Sequence, residues 1–323
     1  MMPSPQPHVE ERRPAPRVKR QKLVVALGGN ALLQRGEPAS AEVQRRHAAE
    51  AIAEIAKLAD TYDLVLTHGN GPQVGLLALQ SLAYTEVPPY PLDVLGAESE
   101  GMIGYVLELE LENQLPGRPI ATLLTQILVD EDDPGFEDPT KFVGPVYDQE
   151  TAERLAAERG WTIKPDGKYF RRVVPSPEPR GILELKSIRH LVEFGAIVIC
   201  SGGGGIPVVR DPDYRLRGVE AVIDKDLAAE LLARSLDADF LLMLTDVPAV
   251  QLDWGTPHAR TVHRATPDEL RRHTFASGSM GPKVEAACRF VEATGGTAAI
   301  GALDDAPQIV LGEAGTIVRR DLY

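Results

Sequence analysis

The chain has 323 residues, of which 43% are hydrophobic and 25% charged, and its formal net charge is −13. This length fits one large α/β domain or two smaller ones, and the acidic balance gives no electrostatic support for nucleic-acid binding. Two cysteines, Cys200 and Cys288, are too few for a disulfide framework or a metal cluster. Because no segment is typical of a membrane span or a signal peptide, we expect a cytoplasmic enzyme or binding protein with no nucleic-acid or membrane partner.

Residues 1–21 combine five prolines with five arginine and lysine residues. This composition predicts a disordered tail. The folded domain is therefore expected to occupy residues 22–323.

The first half of this domain predicts strands that alternate with helices. An apolar strand at 22–27 is followed by Gly28-Gly29-Asn30, and a helix at 41–61 can be capped by Ser40. A strand at 64–66 leads into HGNGPQVG at 68–75, where Pro72 suits the first turn of a helix. A helix at 92–115 and a strand at 120–124 come next.

Residues 128–178 depart from this alternation because they are rich in acidic residues, proline and glycine. We interpret them as an excursion from the main sheet that forms a small β-rich lid, since long connections in compact domains are usually functional or flexible.

The alternation resumes after the excursion. The pattern predicts a helix at 183–194, a buried strand at 196–200 that ends in four glycines at 202–205, a helix after Asp224-Lys225-Asp226, a strand at 239–244, a helix at 284–293 opened by GSMGPK, and last strands at 297–300 and 315–318. Such alternation favours a mostly parallel sheet covered by helices on both faces. Ligands collect at the carboxyl ends of such strands, where the glycine junctions lie.

Glycine-rich turns after buried strands can hold anions on their N–H groups, but they do not identify a reaction. The spacing at 69–75 nearly matches a dinucleotide fingerprint, which is weak support for a nicotinamide-dependent dehydrogenase. No lysine of the P-loop type follows any junction.

Three lysines indicate which reaction the glycine junctions could serve. Lys225 and Lys283 stand at predicted helix entrances, which already favour anions, and Lys141 lies in the excursion. Phosphoryl transfer needs such positioned cations. The alternatives are an ordinary surface lysine at 283, a solvated ion pair between Lys225 and its aspartate neighbours, and a helix cap at Asp226.

His68 could act as a base or could pack at the end of its strand. Neither a serine–histidine–acid spacing nor a cluster of metal ligands is evident in the sequence.

A set of motifs in order along the chain resembles the carbamate kinases, a family of the amino-acid kinase superfamily. The motifs are LGGNAL at 27–32, HGNGPQVG at 68–75, ESEGMIGY at 98–105, PTKFVGPVY at 139–147, VVPSPEP at 173–179, SGGGGIPVV at 201–209, VEAVIDKDLAAELLA at 219–233, LTDVPAV at 244–250 and GSMGPKVEAA at 278–287. The resemblance implies a three-layer αβα sandwich around a mainly parallel, roughly eight-stranded sheet, with a protruding subdomain that matches the excursion at about 128–178. It also implies a homodimer and reversible phosphoryl transfer from ATP to carbamate, which gives ADP and carbamoyl phosphate.

The resemblance further implies roles for individual residues. Lys141 would reach down from the subdomain, Lys225 and Lys283 would bind the transferring and leaving phosphates, and Asp226 would organise the lysines. The residues implied to cradle carbamate and the phosphoryl group are Gly28, Gly29, Asn30, Gly69, Asn70, Gly71, Gly203 and Gly204. Those implied for the nucleotide are Thr245, Asp246, Val247, Met280 and Gly281, together with Lys225 and Lys283.

Mg²⁺ is implied with the nucleotide, although the sequence offers no clear carboxylate ligand for it. Three positions depart from the family pattern: Glu100 replaces a frequent glutamine, Phe142 a proline and Pro248 an aspartate. Two alternatives stay open, a kinase for another small carboxylate or phosphate acceptor and a nucleotide-binding regulator without catalysis.

Overall fold

The computed structural model describes residues 20–34, 36–276 and 278–321. The predicted disordered tail therefore lies outside the described residues, apart from its last two positions. Arg20 donates a hydrogen bond to the carbonyl oxygen of Ala59 (2.8 Å), and Gln21 begins the first strand.

The strands follow the chain in this order: β1 (Gln21–Leu27), β2 (Tyr62–His68), β3 (Ile120–Thr122), β4 (Gln126–Leu128), β5 (Lys141–Tyr147), β6 (Thr162–Asp166), β7 (Tyr169–Val174), β8 (Gly181–Ile182), β9 (Ile197–Ile199), β10 (Ile206–Arg210), β11 (Leu216–Gly218), β12 (Phe240–Thr245), β13 (Val250–Leu252), β14 (Arg260–Val262), β15 (Arg264–Ala265), β16 (Thr297–Ala302) and β17 (Thr316–Val318).

The helices are α1 (Ala41–Ala56), α2 (Gly71–Ala83), α3 (Leu92–Gln114), α4 (Gln149–Arg159), α5 (Leu185–Phe194), α6 (Lys225–Ser235), α7 (Pro267–Leu270), α8 (Met280–Thr294) and α9 (Ala306–Leu311). Within the described ranges, no helix is both long and apolar enough to cross a lipid bilayer.

The central sheet has eight strands in the order β15-β17-β16-β12-β1-β2-β9-β3. Its neighbours pair in parallel except β16 and β17. Alternate residues of each strand enter different cores: Val24 and Ala26 pack with α5, α6 and α8, whereas Leu23 and Val25 pack with α1, α3 and α9. This burial on both faces explains the continuous apolar runs in the sequence. The predicted three-layer α/β fold with a mainly parallel sheet is confirmed.

Residues 141–174, which we call the protruding unit, form a three-stranded antiparallel sheet in the order β5-β7-β6 with α4 packed against it. Antiparallel pairing sets these strands apart from the central sheet. The excursion also contains a helix that the sequence interpretation missed. Asp148 caps α4 by accepting a hydrogen bond from Thr151 N (2.8 Å), and Gly160 ends it in the left-handed conformation.

Two helices have bounds that differ clearly from the predicted ones. Helix α1 begins after the predicted cap, Ser40, but it ends at Ala56 rather than 61, and the chain continues in turns to Thr61. Helix α8 begins at Met280, four residues before the prediction, because Pro282 is tolerated in a first turn where its missing N–H has no helical partner. Two hairpins that the pattern did not reveal, β10–β11 and β13–β14, lie between the core elements.

The protruding unit rests on α2 through a very close backbone approach. A Cβ atom at Gly75 would lie 2.9 Å from Gly144 Cα and 3.1 Å from Gly144 N. Around this contact, Val74, Leu92 and Val143 form a small apolar cluster. The absence of a side chain at position 75 therefore sets the distance between α2 and β5.

We expect Gly75→Ala to push β5 away from α2, because backbone atoms cannot move aside as a flexible side chain can. The loss should be about 1–3 kcal/mol in the free energy of unfolding, with faster proteolysis within residues 141–174. Gly96→Ala is the matched control, since a Cβ on this α3 glycine meets nothing within 4 Å, and it should stabilise by up to about 1 kcal/mol. Equal behaviour of the two variants in urea unfolding and limited proteolysis would show that the close approach is unimportant.

Candidate functional site

The three predicted glycine junctions meet at one edge of the central sheet. They follow β1, β2 and β9, which are neighbours in that sheet. A Cβ at Gly69 would lie 3.0 Å from Gly29 N and 3.2 Å from Lys225 Cδ, and a Cβ at Gly203 would overlap the Asn70 amide, 2.1 Å from Nδ2. Only glycine permits these approaches, so the junctions form one continuous backbone surface.

Three of the four glycines after β9, together with the serine before them, have positive φ values. Ser201, Gly203, Gly204 and Gly205 have φ values of 53°, 68°, 100° and 82°. Residues Gly202–Gly204 form one turn of 3-10 helix. Because Ser201 is not glycine, its positive φ is an unfavourable local conformation that the surroundings must stabilise.

Glu100 of α3 supplies part of that support from beneath the loop. Gly202 N donates to Glu100 Oε1 (2.7 Å), and Thr125 N donates to Glu100 Oε2 (3.1 Å). The side chain is buried, and burial raises the pKa of Glu100 to about 8 against the opposing effect of the two amides. Glu100, which replaces a glutamine that is frequent in the family, therefore lies under the glycine loop and not in an open cleft.

His68 packs at the end of β2 against the same loop. Its Nδ1 lies 3.2 Å from Gly69 O, its Nε2 has no hydrogen-bond partner in the described part of the chain, and a Cβ at Gly202 would lie 2.3 Å from Nε2. Burial lowers the pKa of His68 to about 4, so the imidazole is neutral near pH 7. This geometry supports the packing interpretation over a catalytic base.

Asp226 binds two lysines at the centre of the site. Lys225 Nζ lies 2.6 Å from Oδ1, and Lys283 Nζ lies 3.0 Å from Oδ2. Burial would raise the pKa of Asp226, but the two ammonium groups outweigh it and lower this pKa to about 2. Burial lowers the pKa of Lys225, whereas Asp226 overcomes the effect of burial at Lys283 and raises its pKa. The Lys225–Asp226 pair is therefore a buried part of the site and not a solvated surface pair.

Asp224 joins the protruding unit to α6. Its Oδ1 accepts from Asp226 N (2.9 Å) and Leu227 N (3.3 Å), so Asp224 caps the helix, and the alternative that Asp226 is the cap is wrong. Its Oδ2 lies 2.6 Å from Lys141 Nζ at the start of β5. A third lysine thus reaches the same helix entrance from the excursion.

Two adjoining clefts open over these groups. The outer cleft has a volume of about 770 Å³ and the inner cleft about 210 Å³. Gly29, Lys225 and Lys283 line both of them. The cationic centre therefore lies where the clefts join.

Most of the predicted site residues line one of these clefts. In the outer cleft they are Gly28, Gly29, Lys225, Thr245, Asp246 and Lys283. In the inner cleft they are Gly29, Gly69, Asn70, Gly71, Lys141, Gly203, Lys225, Asp226 and Lys283. Phe142 also lines the inner cleft, and its ring lies 5.8 Å from the Arg171 guanidinium.

Four other predicted residues are placed behind or beside the clefts. Gly204 lies against Ile223, Met280 packs against the apolar core, and Gly281 N donates to Ala276 O (2.9 Å). Val247 lies in the bend that follows β12. The side chain of Asn30 lies outside the described part of the chain.

The sequence interpretation missed several polar residues of the outer cleft, namely Gln34, His47, Glu50, Ser279 and Asp304. His47 and Glu50 are on α1, and His47 Nδ1 lies 3.1 Å from Glu50 Oε2. Helical spacing revealed the buried face of α1, but nothing in the spacing shows that its beginning reaches the sheet edge.

The carboxylates near the site do not form a metal-binding set. Among the residues that the structure describes, no group of three or more His, Cys, Asp or Glu side chains could hold a metal ion. The two central aspartates are already paired with lysines. The residues therefore do not fit a Mg²⁺ ion held by the protein alone.

The fold and the site define the class of protein to which this chain belongs. Residues 21–301 match the amino acid kinase family, and the chain is a member of that family. Within it, the chain belongs with the carbamate kinases. It is 55% identical over 300 residues to the carbamate kinase of Haemophilus influenzae, covering 93% of this chain and 97% of that protein. It is 56% identical over 296 residues to that of Escherichia coli K12, covering 92% and 98%.

A solved structure shows the same similarity in three dimensions. The carbamate kinase of Giardia lamblia, described as bound to AMP-PNP, superposes with a TM-score of 0.86 at 40% identity, covering 94% of this chain and 99% of that one. The family relationship makes the protein an ATP-dependent kinase.

We expect Glu100→Gln to change how stability depends on pH. The folded protein keeps a proton on Glu100 up to about pH 8, whereas the unfolded chain loses it near its ordinary pKa of 4.5. Its contribution to the free energy of unfolding is therefore full below pH 4.5 and is lost as the pH rises to about 8. This decline should be absent from the glutamine variant. Below about pH 4.5, where Glu100 is protonated in both states, the variant should be about 1–3 kcal/mol less stable than the parent, since glutamine offers one acceptor oxygen to two amides.

The measurement is denaturant unfolding of both proteins at about pH 5, 7 and 9. Glu98→Gln, at an exposed position two residues earlier on α3, is the control and should stay within about 0.5 kcal/mol of the parent. A constant difference between parent and Glu100→Gln across this range would contradict the expectation.

Proposed function

We propose that this protein catalyses reversible phosphoryl transfer between ATP and carbamate, giving ADP and carbamoyl phosphate. The observation that carries the proposal is the Lys225–Asp226–Lys283 cluster at the junction of a large and a small cleft. Membership among the carbamate kinases selects the substrate, because the geometry alone fits any small phosphoryl acceptor.

The two clefts differ in size in the way that the two substrates do. In this proposal the nucleotide occupies the outer cleft, near Thr245, Asp246 and the segment that contains Val247, Met280 and Gly281. The Giardia relative described as bound to AMP-PNP supports a nucleotide site in this fold. Carbamate occupies the inner cleft against the backbone of Gly29, Gly69 to Gly71 and the glycine loop at 203–204, and Gly28 and Asn30 complete this cradle.

The transfer is direct between the two bound substrates. A carbamate oxygen attacks the γ-phosphorus, and the bond from that phosphorus to the bridging oxygen breaks, so that ADP leaves with the electron pair. Charge accumulates on the equatorial and leaving oxygens, where positioned cations and N–H donors lower the barrier. The lysines supply cations, and no covalent intermediate on the enzyme is required.

The position of each lysine determines which phosphate group it contacts in this proposal. Lys225 and Lys283 lie where the clefts join, so they contact the transferring and leaving phosphates. Lys141 enters the inner cleft from the protruding unit and exchanges its contact with Asp224 for the phosphoryl group. Asp226 keeps the two central ammonium groups in place.

Mg²⁺ enters this scheme only with the nucleotide. Since the protein offers no carboxylate set for it, the ion is held by phosphate oxygens and water, as Mg²⁺ commonly is. No step of the transfer is assigned to it.

The family resemblance supports three further parts of the proposal. The enzyme works as a homodimer in the cytoplasm, and it makes ATP from carbamoyl phosphate at the end of arginine breakdown.

The experiment that tests the proposed reaction is a coupled assay of ATP formation from ADP and carbamoyl phosphate. Acetyl phosphate is the comparison substrate. We expect rapid ATP formation with carbamoyl phosphate and much less with acetyl phosphate. A reversed preference would indicate a kinase for another carboxylate, and no ATP from either compound would indicate a regulator without catalysis.

In the same assay, Lys225→Ala and Lys283→Ala should each lower kcat by about 100-fold or more, the usual cost of removing one donor to the transition state. Each variant leaves Asp226 with one lysine partner, so the fold should be retained, which circular dichroism checks. Lys186→Ala, at an exposed position on α5, is the control and should be fully active. If both site variants kept more than about a third of the parental kcat, the proposed charge stabilisation would be refuted.

A further inference from the structure

A third cleft lies at the root of the protruding unit, away from the outer and inner clefts. Its volume is about 500 Å³. One wall is apolar and comes from α2 and α3, with Ala78, Leu82 and Leu95. We call it the root cleft because Pro139 and Pro175, which flank the unit in sequence, also line it.

The opposite wall carries two arginines placed over one indole. The guanidinium carbons of Arg159 and Arg172 lie 5.5 and 4.8 Å from the centre of the Trp161 ring. All three residues line the root cleft. Such stacking fixes the guanidinium planes while it leaves their N–H donors open.

Neither guanidinium has a hydrogen bond or an ion pair with any residue that the structure describes. Arg172 is half-buried on β7, and burial lowers its pKa, although Glu220 opposes that effect. Glu220 lines the cleft too, but its carboxylate accepts a hydrogen bond from Leu92 N (3.2 Å). Two cations thus face one carboxylate that is already engaged elsewhere.

We propose that the root cleft binds a small organic anion, a carboxylate or phosphate monoester with an apolar body, at a site separate from phosphoryl transfer. The arginine forks match the paired oxygens of either anionic group. The apolar side chains of α2 and α3 cover the body of the ligand. A partly buried guanidinium without a partner is costly, and the ligand removes that cost.

The root cleft is also connected to the phosphoryl-transfer site through β5 and α2. Arg172 is paired with Val143 across β7 and β5, and β5 begins at Lys141. Helix α2, on the other wall, begins at Gly71 of the inner cleft. A ligand that bridges Arg172 and α2 keeps β5 packed against α2. Because Lys141 is the first residue of β5, the ligand also keeps Lys141 near Asp224. This last step rests on the proposed function, whereas binding itself does not.

The binding test uses isothermal titration calorimetry on the whole protein with AMP-PNP present, so that the nucleotide site is filled. The probes are benzoate and phenyl phosphate, with benzyl alcohol as the neutral analogue. We expect one benzoate or phenyl phosphate per chain and at least about tenfold weaker binding of benzyl alcohol. A parallel titration omits AMP-PNP. Anion binding that is seen there and is lost when AMP-PNP is present would place the probe in the phosphoryl-transfer site and overturn the proposal.

Two variants locate the probe. Arg172→Gln should weaken anion binding by about tenfold or more. Arg159→Gln should do the same from an exposed position where little packing is lost, which keeps the test valid if the first variant folds poorly. Arg154→Gln, on the same helix but paired with Glu158, is the matched control and should bind as the parent does. Parental affinity in both cleft variants, or no anion binding at millimolar concentration, would refute the site.

A kinetic measurement then separates this inference from the proposed function. Benzoate should change the KM for carbamoyl phosphate in the parent and in Arg154→Gln, and not in Arg172→Gln. If the enzyme is active but binds no anion, only the root-cleft proposal is refuted. If the protein binds the anion as expected but makes no ATP, only the proposed phosphoryl-transfer function is refuted.

Discussion

The site depends on one buried carboxylate that holds two ammonium groups. Without Asp226, Lys225 and Lys283 would face each other across a poorly solvated space, and their repulsion would separate the beginnings of α6 and α8. With it, each ammonium group has a partner within 3.0 Å. The arrangement still carries a net positive charge, and two helix entrances add to it. A protein with a net charge of −13 thus concentrates cationic groups where an anionic substrate can bind.

The close packing of backbone around that carboxylate is a second constraint. Gly69 lies against both Gly29 and the stem of Lys225, so a side chain there would displace the lysine. The glycine loop after β9 is fixed from below by Glu100, whose two oxygens accept from Gly202 N in the loop and from Thr125 N just before β4. The cationic centre and the amide surface are therefore positioned together. A change in one would move the other.

The sequence pattern predicted the repeating part of this structure well, for a physical reason. Strands buried on both faces must be continuously apolar, as in β1 and β12, and helices on a sheet must carry an apolar stripe, so both leave strong signals. The glycine junctions were also predictable, because few other residues allow such close approach. The family motifs then pointed to Lys141, Lys225 and Lys283.

Contacts made between distant segments could not be predicted from the pattern. Asp224 and Asp226 look equivalent in the sequence, yet only the packing of α6 decides that one caps the helix and the other holds the lysines. His47 and Asp304 line the outer cleft, although the sequence around each of them does not indicate a binding site. Short edge elements such as β11 and β13 are too brief for periodicity to identify. Helix α4 contains neither proline nor glycine, but the prolines and glycines before and after it led the whole stretch to be interpreted as an excursion.

The capping role of Asp224 links the protruding unit to the centre of the site through a single side chain. One of its oxygens is committed to the backbone of α6, and the other is committed to Lys141. Since α6 also carries Lys225 and Asp226, a displacement of β5 pulls on the helix entrance that orients the central cluster for as long as Lys141 stays paired with Asp224. In the proposed reaction, a phosphoryl group that draws Lys141 away leaves this oxygen free, and the cap on α6 stays intact. In that proposal, Lys141 changes its partner while the other oxygen of Asp224 keeps α6 capped, so the Lys225–Asp226–Lys283 cluster stays in place.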